Sequence, residues 1–233
     1  MNLKTLYSMH LLLFLSFLPS FGMDKLSIIN MHNEYEAIIN KAIVEKRNLN
    51  ELKSAQSDPL FIVIAQNGFI DLVKNMLDAG ADTEINDIYG KSPLSEAATY
   101  GHVEIVKLLL DHGADVENKK GKEIPLLKAA SCKSQEGKNN ISIIKWLLTS
   151  GANINAQHHL HKETALHSVL YKSYLLPISI ETRASIITLL VSCGASLSIK
   201  DYQEKTALDR AQKRFPELVS TIEEQVKLKE SKN

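Results

Sequence analysis

His158, His159 and His161 stand within four positions of one another, with His167 a short way on. Three imidazoles so close together have the donor atoms for a zinc or copper site, provided the loop wraps the ion. No thiolate or carboxylate is spaced to complete a tetrahedral set, so the expectation is a solvated loop and no metal. A second group, Lys119, Lys120 and Lys122 around Gly121, is suited to an acidic surface. Together the two loops would hold such a surface more tightly at mildly acidic pH, where imidazoles gain charge. Catalytic signatures are missing: the chain contains no Gly-rich phosphate loop, G-x-S-x-G, H-E-x-x-H or C-x-x-C. Its carboxylates are spread along helix ends and loops, so no acid and base pair stands out. The residues therefore predict no enzyme and no cofactor.

The elements that carry these loops are written repeatedly. GHVEIVKLLLDHGAD at 101–115 echoes GFIDLVKNMLDAGAD at 68–82, and the pattern returns as NNISIIKWLLTSGAN at 139–153 and TRASIITLLVSCGAS at 182–196. Apolar residues fall at helical spacing in each, such as Ile105, Val106, Leu109 and Leu110, followed by Gly80, Gly113, Gly151 or Gly194. Glycine there predicts a left-handed residue that closes the helix. Upstream of each lies a shorter helical pattern, opened by Ser92-Pro93, Pro125, Thr164 or Thr206 and carrying small residues such as Ala97-Ala98 and Ala129-Ala130. The hydroxyls predict N-caps, and the alanines leave room for a neighbouring helix.

Ser92-Pro93-Leu94 leading to Ala97-Ala98, then G-H-x-x-I-V-K-L-L-L-x-x-G-A-D, at a period of 33 residues, resembles the ankyrin repeat. The similarity covers roughly residues 55 to 215 and is best over 87 to 118. It implies an all-α solenoid of stacked helix-turn-helix units with finger loops projecting along one edge. It also implies protein binding through the fingers and the concave face, without catalysis. About four repeats are expected over 55–200, preceded by N-terminal capping helices at 23–54 and followed by a C-terminal capping repeat and frayed polar tail at 201–233. The third repeat carries an insertion containing SQEGK, and the fourth one containing Leu175-Leu176-Pro177; both fall at the turn between paired helices. The histidine loop is read as about three residues longer than Asn86 to Ser92. His167 matches the family's loop-supporting histidine.

Residues 1–22, with Lys4, the run LLLFLSFL and the small-x-small pattern Ser20-Phe21-Gly22, read as a cleaved signal peptide. The expectation is therefore an exported protein, secreted or periplasmic, with no membrane segment after cleavage. Lys plus Arg equals Asp plus Glu at 27 each, which removes the bulk charge expected of a nucleic-acid binder. The two cysteines, Cys132 and Cys193, are read as free thiols. Asn140-Ile141-Ser142 is a formal glycosylation sequon, rated as chance, and Trp146, the sole Trp, is placed in the core. The predicted function is a monomeric module for a protein partner of unknown identity. Alternatives are a stoichiometric inhibitor or stabiliser of an exported enzyme, and a secreted effector acting on host proteins. Candidate contacts are Tyr89, Lys91, Glu96, Tyr100, Lys119, Lys120, Lys122, Lys128, His159, His161, Tyr171 and Tyr202.

Overall fold

The computed structural model describes residues 24–131, 137–170 and 179–230. Among them are eleven α-helices and no β-strand. Helix α1 (Lys25–Val44) and a 3₁₀ turn (Leu49–Glu51) open the chain. Four helix pairs follow: α2 (Leu60–Gln66) with α3 (Ile70–Asp78), α4 (Pro93–Tyr100) with α5 (Val103–Asp111), α6 (Pro125–Ser131) with α7 (Gly137–Thr149), and α8 (Ala165–Val169) with α9 (Ile180–Ser192). Helices α10 (Ala207–Arg214) and α11 (Val219–Glu230) close it. Helix α11 runs on through Lys227 to Glu230, part of the tail expected to fray.

The first helices stack on one another in chain order, α2 on α4 on α6 on α8, and the second helices form a parallel row, α3 on α5 on α7 on α9. Ala97, Ala98, Ala129 and Ala130 are fully buried where the first helices meet, as small side chains allow. Ile105, Val106 and Leu109 on α5 and Ile143, Ile144 and Leu147 on α7 fill the other side of a single core that runs from Ile28 to Ile222. Gly80, Gly113, Gly151 and Gly194 all take positive φ, from 81° to 101°. Each expected helix stop is therefore in place. Ser92, Thr164 and Thr206 close capping boxes with Ser95, His167 and Asp209 three residues on.

The units are also fastened by one repeated bond. The backbone N–H of the residue after each Gly-Ala donates to a side chain of the preceding unit: Asp115 to Glu84 at 2.9 Å, Asn153 to Glu117 at 2.5 Å and Ser196 to Asn155 at 2.7 Å. Asp82 donates in the same way to Asn50, at 2.9 Å. Residues 45–54 thus end as a repeat does, although one long helix and a 3₁₀ turn stand where capping helices were expected. Helix α1 docks on α3 through His32, whose Nε2 lies 2.8 Å from Asp71 Oδ2.

Both insertions begin after the first helix of a pair, after Ser131 and after Val169, but they do not lie wholly in the turn. Helices α7 and α9 have 13 residues where α3 and α5 have 9, and Gly137 and Lys138 of SQEGK open α7. Cys132, Tyr171, Leu175-Leu176-Pro177 and the leader 1–22 lie outside the described residues. At the second insertion Arg183 is buried against Phe215, its guanidinium carbon 4.5 Å from the ring centroid, and Nη1 donates to the Val169 carbonyl that ends α8. Burial pushes this guanidinium's pKa down. Trp146 departs from the core placement: it is 39% exposed, with Lys107 Nζ 4.8 Å above its ring. The buried side of α7 is set by Ile143, Ile144 and Leu147, and the Trp position lies at its edge. Asn140 is fully buried and its amide donates to the Ala129 carbonyl at 2.8 Å, which closes the sequon to glycosylation in the folded chain.

Candidate functional site along the fingers

Between one helix pair and the next the chain turns out into a finger and back. Counting the turn ahead of α2 as the first, the second spans 79–92, the third 112–124, the fourth 150–164 and the fifth 193–206. The second finger is built on Asp87: its N–H donates to the Lys91 carbonyl at 3.0 Å, and its carboxylate accepts from the N–H groups of Tyr89 and Lys91, both at 2.9 Å. The fifth repeats this on Asp201, whose Oδ1 accepts from Gln203 and Lys205. In the fourth finger His158 takes the same place. Its N–H donates to the Glu163 carbonyl at 2.8 Å, and Nδ1 accepts from the His161 N–H at 3.3 Å. This tip spans Asp87-to-Lys91 as His158-to-Glu163, so the loop is one residue longer than the second finger, not about three. Aligning Gly151 to Thr164 with Gly80 to Ser92 would have revealed it.

The histidine rings form a stack and do not converge. His158 and His161 lie nearly parallel with centroids 5.1 Å apart, His159 sits 4.6 Å from His158, and Tyr202 of the fifth finger adds to the column at 5.6 Å from His161. Burial and the neighbouring His159, His161 and Lys128 hold the His158 imidazole below the usual histidine range, against the pull of Glu123. A neutral ring suits its role as a hydrogen-bond acceptor. Among the described residues no three His, Cys, Asp or Glu side chains are grouped to hold a metal ion. His167 is buried apart from this column. Its Nδ1 accepts from the Thr164 N–H and Nε2 lies 3.0 Å from the Lys205 carbonyl, which joins the fourth unit to the fifth finger. Burial is the main cause of its lowered pKa.

Arg210 fastens the same pair of fingers. It sits 2.5 Å from Asp201 Oδ2 and 2.9 Å from Glu163 Oε1. Sequence reasoning missed it, because nothing local marks α10 as the source of a bridge.

The fingers touch in pairs. Lys122 N–H donates to the Gly90 carbonyl at 2.9 Å, joining the third finger to the second; Tyr202 N–H donates to the His161 carbonyl at 3.0 Å, joining the fifth to the fourth. Gly121 is forced by this approach, since a Cβ there would strike Asn118, Asn86 and the Gly90 carbonyl. Gly90, at φ 78°, meets Lys122 in the same way. Among the described residues no hydrogen bond joins the tips of the third and fourth fingers; Glu117 to Asn153 ties only their bases. A cleft of about 430 Å³ opens there, lined by Lys119, Lys122, Ile124, Gln157 and His159 above Glu117.

The predicted contacts differ in exposure. Tyr89, Lys119, Lys120, Lys122, His159, His161 and Tyr202 are exposed on the fingers. Lys91 and Lys128 are half-buried and already paired, with Glu96 at 3.5 Å and Glu123 at 2.6 Å. Glu96 is 2% exposed, so it supports the second finger from beneath and offers no open surface. Tyr100 is half-buried near Gln66, and burial beside the Glu96 charge pushes its pKa up to about 12. Tyr171 lies outside the described residues. Ile88 and Leu160, which the sequence reading passed over, are exposed at the second and fourth tips.

The family model described as ankyrin repeats (3 copies) matches residues 28–120 and 60–158. The match includes the segment from residue 28 that had been read as a cap, and stops before the fifth finger. Comparison with curated proteins found no match. The family match over more than half of the chain, the paired helices stacked in two rows and the recurring Gly-Ala stops agree: the chain belongs to the ankyrin-repeat family.

Proposed function

We propose that this chain is a non-catalytic protein-binding module, exported through a leader at residues 1–22, that docks one protein partner along its finger edge. The observation that carries it is where large apolar side chains meet water. Ile88 (83%), Tyr89 (63%), Leu160 (65%) and Tyr202 (55%) are exposed at the tips of the second, fourth and fifth fingers, in a row with the lysines of the third. Singly exposed apolar residues are ordinary, but a row of them on stiff hairpins suits an interface whose aromatic anchors cost little ordering entropy. Ankyrin arrays in general serve protein–protein interaction, which supports the same reading. The leader reading is supported by the start of α1: Asp24, its N-cap, accepts from the Ser27 N–H at 2.7 Å two residues past Gly22.

The test is affinity capture with the full chain beside a Tyr89→Ala, Leu160→Ala, Tyr202→Ala variant and a Trp146→Ala control on the helix row. The expected result is a stoichiometric partner kept by the control and weakened about a hundredfold by the triple variant, a loss of roughly 3 kcal/mol over several anchors. A partner held equally by all three would move the site off the fingers. N-terminal sequencing of exported protein should begin at Met23; an intact Met1 retained in the producing cell would defeat the leader assignment.

A further inference from the structure

Resting on the protein-binding reading, we propose that the gap between the third and fourth fingers is a recognition cleft for an extended acidic segment of the partner, whose carboxylates seat between Lys119, Lys122 and His159. Four observations meet here. The tip-to-tip backbone bonds that join the second finger to the third and the fourth to the fifth have no counterpart among the described residues between the third and fourth, so the row from the second finger to the fifth opens here. The opening, about 430 Å³, has room for side chains and a stretch of extended chain.

Charge selects the occupant. Lys91, Lys128 and Lys200 each have a carboxylate within 4 Å, whereas Lys119, Lys120 and Lys122 have none among the described residues. The carboxylates of this finger are already engaged: Glu117, in the cleft lining, accepts from the Asn153 N–H, Asp115 accepts from the Lys119 N–H at 2.9 Å, and Glu123 pairs with Lys128 at 2.6 Å. A chain with no net charge therefore presents three lysines without ion-pair partners among the described residues beside this opening, while Asp115 and Glu117 are turned to backbone N–H groups. The stacked rings of His158 and His161, with Tyr202 tilted 60° against His161, supply aromatic surface on the finger that carries His159, against which an apolar or aromatic neighbour of the acidic residue can lie. The segment expected is one in which acidic and apolar residues alternate, since alternate side chains of an extended chain point to opposite sides.

The experiment titrates the full chain with a fluorescein-labelled decapeptide of alternating Glu and Leu, followed by anisotropy, with the Gln-for-Glu peptide as its uncharged counterpart. Binding should weaken about tenfold in Lys119→Gln, Lys122→Gln, the loss of one or two charge-assisted hydrogen bonds, and remain unchanged in Lys74→Gln, Lys213→Gln. The Gln peptide should bind at least about tenfold more weakly, and amide shifts should centre on Gln157 and His159. No binding, equal binding by the Gln peptide, or equal binding by the Lys119/Lys122 variant would overturn the proposal. So would displacement by a heparin oligosaccharide that binds more tightly than the peptide, which would make the cleft a polysaccharide site. Loss of this peptide effect alongside a partner still captured through Tyr89, Leu160 and Tyr202 would remove the cleft assignment and leave the binding module standing.

Discussion

Single side chains decide how firmly the two ends of the array are held. Arg210 faces Asp201, whose side chain is fully buried, and Glu163 in the neighbouring finger. Arg210→Ala leaves a buried carboxylate without its cation and should cost about 3 kcal/mol, read from the urea midpoint. Burial alone would raise the Asp201 pKa, but the Lys205 and Gln203 N–H groups and Arg210 outweigh it and the net shift is downward. Its contribution is therefore present above the ordinary carboxylate value of 3.8 and is lost as pH falls through the depressed folded value. At the other end, burial pulls the His32 imidazole down, yet the hydrogen bond and charge of Asp71 prevail and raise it. The sign is opposite: stabilisation by His32 is complete below 6.5 and fades as pH rises through the raised value, while Asp71, held below 3.8, contributes above that limit. Hydrogen exchange in α1 should be slowest between the two, and His32→Asn should flatten the alkaline side of that profile. A profile without slope in the native chain would show that α1 docks by packing alone.

The finger is the element on which function depends, and its fit with its neighbour is steric before it is electrostatic. Gly121→Ala should cost about 2 kcal/mol because the new methyl meets Asn118, Asn86 and the Gly90 carbonyl. Gly113→Ala, whose methyl would meet nothing within 4 Å, should cost about 1 kcal/mol from its left-handed backbone alone. Comparing both midpoints separates crowding from backbone preference, and equal losses would deny the interlock. Helices and stops were legible in the sequence because each is written four times at helical spacing and ended by Gly-Ala. The fingertips were legible only in part. His158 replaces Asp87 and Asp201 as the tip anchor, and a ring nitrogen in a carboxylate's place does not look like a repeat. Trp146 was misplaced for the opposite reason: its repeat position was clear, but that position lies at the rim of the buried face.

Across the whole molecule one core runs from Ile28 to Ile222 without a break. Such an array should unfold as one unit under mild conditions, despite its repeats. Trp146, the only Trp and half-exposed on α7, is a natural reporter of the middle of the stack. Its fluorescence and the helical circular dichroism should trace the same urea curve; an earlier Trp transition would mean that the third unit melts separately. The fastening between successive units is indifferent to chain length. The bonds from Asp82 to Asn50 and from Asp115 to Glu84 close across 32 and 31 positions, those from Asn153 to Glu117 and from Ser196 to Asn155 across 36 and 41. Part of the extra length goes into the second helices, since α7 and α9 run to 13 residues where α3 and α5 have 9, and the bond between neighbouring hairpins is kept. A fluorescent domain or an epitope spliced in after Ser131 should therefore report on the protein in cells without disturbing what the finger row binds.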